Sequence, residues 1–331
     1  EYPAPKFRRV ALDIEVLPPV VEREGVKTAR IPDPHEADYP MICASLYGSD
    51  GKKRTLLLKR ENIREGTVKI PSDVSVEYYG SEEKMILEIF RALFDYPFVI
   101  TFNGDDFDLR YLFHRAQKLG FRRSQIPIEV GRRVCLLTNS VHIDLYKFFF
   151  NKSIQIYAFG QKYRDVTLDN VGKTLIGLTK IELTRLMPEL TYTELAQYCF
   201  RDAEIAFRLT AFDDDLVMKL ILAIARISRM PMEDVSRQGV SRWIRNFLHH
   251  EHRRRGMLIP NAEDILALKG KTATKAIIKG KKYKGAIVVE PVPGVHFNVA
   301  VMDFASLYPS IIKVYNLGYQ TILCPHEECK D

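Results

Sequence analysis

Two carboxylates stand two residues apart in an otherwise apolar run, Val10-Ala11-Leu12-Asp13-Ile14-Glu15-Val16. Aliphatic and β-branched residues in such a run predict a strand, whose side chains alternate between faces. Asp13 and Glu15 then share one face with Ala11, about 7 Å apart along it, while Leu12, Ile14 and Val16 face the other way. Adjacent acids repel and are costly to desolvate unless solvent, a base or a cation compensates them. A solvated outer face is the bland account of this pair. Three further places weigh against it. Asp108 closes Asn103-Gly-Asp-Asp-Phe107-Asp108 in the first turn of an expected helix, where capping is the alternative role. Asp202 interrupts the apolar stripe Leu195, Tyr198, Cys199, Ala206, Leu209, where pairing with Arg201 or Arg208 is the alternative. Tyr198 lies one turn before Asp202 on the same face, otherwise an ordinary core aromatic. Taken together, Asp13, Glu15, Asp108 and Asp202 form the hard-oxygen set that suits two Mg²⁺ or Mn²⁺ ions about 3.5–4 Å apart. Such a pair stabilises the attacking and leaving oxygens of a displacement, with the Tyr198 hydroxyl holding the attacking water.

The elements that must position these groups follow from periodicity. Leu17–Pro40 is Pro-rich and charged, and reads as an irregular loop. Met41–Tyr47 and Arg54–Lys59 read as strands joined by the turn Gly48-Ser-Asp-Gly51. Ser81–Phe94 has helical spacing with Ser81 as its cap. Pro97–Phe102 is a continuous apolar run, expected of a strand covered on both faces. A helix from about Asp106 to Leu119, a short strand Val141–Leu145 and a helix Thr167–Ile176 come next. Thr191 with Glu194 forms a capping-box signature for a long helix. Strands interleaved with helices predict a layered α/β domain over residues 1–230. Met230-Pro231 marks its expected end, and a helix over Val235–His252 is expected beyond it.

At 331 residues the chain is long for a single core. Hydrophobic content of 46% and charged content of 27% exclude collagenous and disordered classes. No apolar run is long enough to cross a bilayer and no signal peptide leads the chain, which predicts a cytoplasmic protein without a membrane partner. The net charge of +7 is concentrated: residues 231–285 carry 13 Lys/Arg against 5 Asp/Glu. Such a segment is the footprint of phosphate-backbone contact, or else a solvated cationic face.

Asp13-Ile-Glu15, Asn103 with Phe107-Asp108, and Tyr198-Cys-Phe-Arg-Asp202 resemble the three successive exonuclease motifs of family B DNA polymerases, D-x-E, N-x(2–3)-F/Y-D and Y-x3-D. Order, spacing and flanking elements agree. The resemblance implies a ribonuclease-H-like domain, a mixed sheet flanked by helices, that proofreads DNA primer ends in the 3′→5′ direction. It also implies metal ligation by the four acids, water orientation by Tyr198, and primer-end contacts by Asn103 and Phe107. Tyr283-Lys-Gly-Ala286 is similar to the family's Y-x-G-G/A motif, which implies DNA contact through Lys281, Lys282, Tyr283, Lys284 and Gly285. Residues 231–285 are then a helical, basic connecting segment.

Asp303-Phe-Ala-Ser-Leu-Tyr308-Pro-Ser-Ile-Ile312 resembles polymerase motif A, which places the start of a palm domain at residues 286–331. By that likeness Asp303 is a metal ligand of a nucleotidyl-transfer site, while Phe304, Leu307 and Tyr308 contact the incoming dNTP. Phe297–Asp303 alternates as a strand and Ser306 is placed to cap the helix after it. A second palm aspartate and a finger helix are missing, so a fragment or one chain of a split polymerase is expected. Its partners would be primer–template DNA, single-stranded 3′ ends, the remaining polymerase domains and, as a candidate, a sliding clamp. The four-acid set alone would equally suit a free-standing exonuclease. A catalytically silent nucleic-acid-binding module would not need it. Cys324, His326 and Cys329 are one ligand short of a zinc site, so free thiols or a disulfide are expected there.

Overall fold

In the computed structural model the described residues are 3–318, apart from 24–25 and, within 260–291, all but 261, 263, 264, 267, 277, 278, 281, 282 and 290. The chain divides into two compact units, Glu1–Ile259 and Pro260–Asp331. The first extends past Met230-Pro231.

The first unit is organised by β1 (Arg9–Val16), central in a six-stranded sheet. A two-stranded hairpin follows, β2 (Val20–Arg23) with β3 (Val26–Ala29), where an irregular loop is expected from sequence. The prolines lie outside these short alternating stretches, so they bound the hairpin without interrupting its pairing. Next come β4 (Met41–Gly48), β5 (Lys53–Leu58), β6 (Ser75–Tyr79), the helix α1 (Glu82–Phe94), β7 (Phe98–Thr101) and α2 (Asp108–Lys118). A small hairpin of β8 (Ile128–Val130) and β9 (Cys135–Leu137) leads to β10 (Val141–Asp144) and α3 (Leu145–Phe150). Strand order is β10-β7-β1-β4-β5-β6, with β1 parallel to β7 and antiparallel to β4. This mixed sheet flanked by helices is a ribonuclease-H-like arrangement.

The alternation of β1 sorts its residues to two cores. Val10, Leu12, Ile14 and Val16 pack with α1 and α2, through Met85, Ile89 and Leu112 among others. Ala11 packs on the opposite side with Ile100, Ile143 and residues of the long helix α5 (Tyr192–Ser228). Asp13 and Glu15 therefore project toward α5, which crosses β1 and β4. The caps form as the sequence demands: Ser81 accepts from the Lys84 amide, and Thr167 from that of Asn170 at α4 (Leu168–Ile176). At α5 the Thr191–Glu194 box closes in both directions. That helix is broken at Phe212–Asp215, where three successive aspartates take left-handed backbone and buried Arg9 pairs with Asp215.

The expected single helix over Val235–His252 is two, α6 (Met232–Arg237) and α7 (Val240–Arg254), parted at Gln238-Gly239. Gly is the poorest helix former after Pro, and here it serves as the N-cap of α7.

In the second unit Ile277–Ile278 and Lys281–Lys282 form β11 and β12, a two-residue antiparallel pair, and α8 spans Leu307–Val314. Phe297–Asp303 is not a strand here, because no neighbouring strand among the described residues pairs with it and an unpaired strand has no ladder to hold it. Ser306 stands at the N-cap of α8 in left-handed conformation and makes no side-chain cap bond, contrary to the role its position suggests. Tyr283, Lys284, Gly285, Cys324, His326 and Cys329 lie outside the described residues.

Candidate active site

Asp13, Glu15 and Asp202 offer carboxylate oxygens that all lie within 4.8 Å of one another. Strand alternation brings the first two to the α5 side of β1. The 3.6-residue repeat of α5 turns Tyr198, Cys199 and Asp202 back toward them. Cys199 is fully buried there, its Sγ 3.6 Å from Asp13 Oδ2. Asp108 enters from the loop after β7. It is the first residue of α2, and its Oδ1 accepts the Ile14 amide hydrogen at 3.2 Å. The backbone of β1 thus seats Asp108 beside the trio. The four acids that the sequence singles out do converge, three as a tight cluster and Asp108 at its edge.

The electrostatics are those of a site lacking positive charge. Burial, then repulsion from Asp202, Glu15 and Asp108, raises the Asp13 carboxyl well above its usual range. Burial and Asp202 push Glu15 up to about 8. Burial also lifts Asp108 to about 7, even though its backbone hydrogen bonds pull the other way. Asp202 is raised as well, chiefly by burial. Its Oδ1 is buried and accepts no hydrogen bond.

Among the described residues Lys180 is the cation paired with this cluster. Lys180 Nζ lies 2.5 Å from Asp202 Oδ2 and 5.5 Å from the centre of the Tyr198 ring. Burial by itself would lower the Lys180 ammonium, but attraction to Asp202 holds it above the ordinary lysine range. Arg201 and Arg208, the partners offered to Asp202 by sequence proximity, pair with Glu204 instead. Among the described residues, four acids with Lys180 as their ion-pair partner leave the site short of positive charge, and an orphaned carboxylate oxygen is what a divalent cation would satisfy. The residues fit the ion.

Asn103 sits in left-handed backbone at φ +74, a conformation Asn tolerates, and its amide is fixed by Asp144 Oδ1 at 2.9 Å. Phe107 is half-buried and, with Glu15, Ile31, Leu183 and Met187, lines a cavity of about 300 Å³ next to the acids. Asp303, Phe304, Leu307 and Tyr308 are brought to no comparable cluster. All four are exposed, and the trio of Asp13, Glu15 and Asp202 is the sole carboxylate group of this kind among the described residues.

Sequence reasoning missed Lys180 and Asp144. Lys180 follows α4 in a connecting segment with no periodicity to mark its direction. Asp144 has a local signal as the N-cap of α3, where it accepts from the Tyr146 amide, but nothing local shows that it also binds the Asn103–Asp105 turn.

Comparison with known proteins places this geometry. The model of DNA polymerase family B, exonuclease domain, matches residues 1–157, and that of DNA polymerase family B matches residues 230–331. A protein named DNA polymerase 1 from Saccharolobus solfataricus is 47% identical over 327 residues, 98% of this chain and 36% of the relative. Its namesake from Aeropyrum pernix is 42% identical over 332 residues, 100% of this chain and 34% of the relative. A DNA polymerase from Archaeoglobus fulgidus is 28% identical over 279 residues, 80% and 32% of the two chains. The chain spans about a third of the length of the curated relatives it matches. Residues 158–229, which neither family model matches, include Lys180, Tyr198 and Asp202, and the alignments at 42–47% run across them. Two models of one family and end-to-end similarity to its members lead to the same place: the chain belongs to DNA polymerase family B.

Proposed function

We propose that residues 1–230 are a two-metal 3′→5′ exonuclease that trims DNA primer ends on behalf of a DNA polymerase. The observation that carries this reading is the convergence of Asp13, Glu15 and Asp202 within 4.8 Å, with Asp108 seated on the Ile14 amide beside them. Asp13, Glu15, Asp108 and Asp202 hold Mg²⁺ or Mn²⁺. When bound, the ions supply Lewis-acid stabilisation of charge on the phosphodiester oxygens and a nucleophile at neutral pH.

The chain's own groups do the rest. Tyr198, beside Glu15 and Lys180, orients the attacking water through its hydroxyl. Lys180 favours the ionised form of Asp202 against the pull of burial and limits repulsion among the acids. Asn103 contacts the terminal nucleotide. Phe107 stacks under it, and the cavity bounded by Phe107, Leu183 and Met187 receives the base.

In the second unit Asp303 is a ligand of a nucleotidyl-transfer site, with Phe304, Leu307 and Tyr308 against the dNTP. Lys281, Lys282, Tyr283, Lys284 and Gly285 contact primer–template DNA. One aspartate cannot hold two ions, so nucleotide addition needs carboxylates from elsewhere in a complete polymerase. Residues 231–285 connect the two activities, 286–331 begin the palm, and the remaining polymerase domains and a sliding clamp complete the set of partners. Among the described residues no helix is long and apolar enough to cross a membrane, and the proposed site of action is the cytoplasm.

The test is incubation of the chain with Mg²⁺ and 3′-labelled single-stranded DNA. Stepwise release of nucleotides is expected, reduced in Tyr198→Phe and lost on chelation. Binding without cleavage by the folded wild type would point to a silent module, and preference for RNA to a stand-alone nuclease.

A further inference from the structure

The turn that carries Asn103, Phe107 and Asp108 is held by a side chain from a different part of the chain. Arg237, the last residue of α6, has 3% of its side chain exposed. Its Nε and Nη2 donate to Asp105 Oδ2 and Oδ1 at 2.7 and 3.0 Å, a two-pronged grip on one carboxylate. Nη2 also donates to the Cys135 carbonyl at 3.1 Å and Nη1 to that of Glu233 at 3.0 Å. Asp105 is wholly buried, and its Oδ1 accepts the Cys135 amide at 2.7 Å as well. Burial alone would raise its carboxyl, but the His142 and Arg237 contacts hold it well below the usual range.

The network continues into the turn. His142 Nδ1 lies 2.9 Å from the Cys135 carbonyl, and its Nε2 lies 2.8 Å from Thr101 Oγ1, which in turn accepts the Gly104 amide. Asp144 accepts the amides of Asn103 and Asp105 at 2.9 and 3.1 Å. Each backbone donor from Asn103 to Asp105 is therefore satisfied by this network. Arg237, with the Glu233 carbonyl to which it donates, belongs to the segment matched by the polymerase family model.

We infer that Arg237 is a positioning residue for the exonuclease. Through Asp105 it sets the turn Asn103–Asp108, and so the placement of the primer-end contacts and of the Asp108 carboxylate. The inference rests on the nuclease reading above but is tested partly without it. Arg237→Lys keeps the charge and loses the fork, and Asp105→Asn keeps the shape and loses the ion pair.

Amide hydrogen exchange on the 331-residue chain should show residues 102–108 exchanging at least about tenfold faster in Arg237→Lys, with β1 other than the Asp108-bound Ile14 amide, and the first turns of α5, unchanged. In the nuclease assay kcat should fall on the order of 10- to 100-fold in either variant, the usual effect of losing a group that orients a ligand-bearing element. In an Asn103→Ala background, Arg237→Lys should add less than its single effect, because both act through one turn. Unchanged exchange in 102–108, exchange that speeds up equally everywhere, or full multiplication of the two mutational effects would each overturn the inference. An inactive wild type would sink the nuclease reading alone, and the exchange result would still decide this one.

Discussion

The surroundings of Asp13 and of Asp303 differ in what the fold does around a carboxylate. Asp13 lies in a central strand, flanked by parallel and antiparallel neighbours, under a helix that contributes a second acid and beside a loop that contributes a lysine. Asp303 has a family motif around it just as specific, yet Met302 is 93% exposed, Phe304 75% and Tyr308 73%. A motif supplies residue types at a spacing. A site also needs partners from remote sequence and enough cover to make their charges interact. The first unit supplies both, and the second, by itself, supplies the motif.

The largest expected effect follows from that contrast. Asp13→Ala should abolish nucleotide release, a loss of at least about 10³-fold if the carboxylate holds the ions. Asp303→Ala should leave exonuclease rates at the wild-type level. Equal losses in both would erase the distinction between the regions.

Lys180→Met removes the ammonium paired with Asp202, so the metal-free protein should lose stability, by roughly 1–3 kcal/mol for an uncompensated buried group. Added Mn²⁺ should restore much of the melting temperature, since a divalent ion replaces the lost charge. No recovery would argue against a cation site there.

Helix caps carry the same comparison at smaller scale. Thr191→Ala breaks a formed capping box and should cost about 1 kcal/mol. Ser306→Ala removes a hydroxyl that makes no cap bond and should stay within about 0.5 kcal/mol. Denaturant midpoints measure both.

The pH response is the finest test. Glu15 at about 8 and Asp108 at about 7 are raised above their unfolded values, so the folded chain favours their protonated forms. The stability they contribute is fully present below about pH 4 and is lost as pH rises through 7 to 8. Without metal, wild type should thus lose stability relative to Glu15→Gln over that window. Mn²⁺ should raise the melting temperature more at pH 8 than at pH 6, because the ligands must shed protons to bind it.

A good deal of this was open to a reader of the sequence. Period-two alternation put Asp13 and Glu15 on one face of β1. The capping box located α5, and helical spacing then put Tyr198 and Asp202 on its inner stripe. The run Pro97–Phe102 and the Asn103-Gly turn set Asp108 at a helix start. Where local pattern misled, a partner was lacking or a breaker intervened: Phe297–Asp303 alternates but pairs with no strand among the described residues, and Gly239 divides the expected helix.

What the sequence determined by itself is the inventory of acids and the secondary elements that carry them, since hydrophobic period and capping chemistry act over a few residues. Only the tertiary structure decided that Lys180, rather than Arg201 or Arg208, answers Asp202, and that Arg237 reaches 132 residues back to Asp105. Coulomb attraction and desolvation depend on distance in space and on burial, and neither is encoded at any fixed separation along a chain.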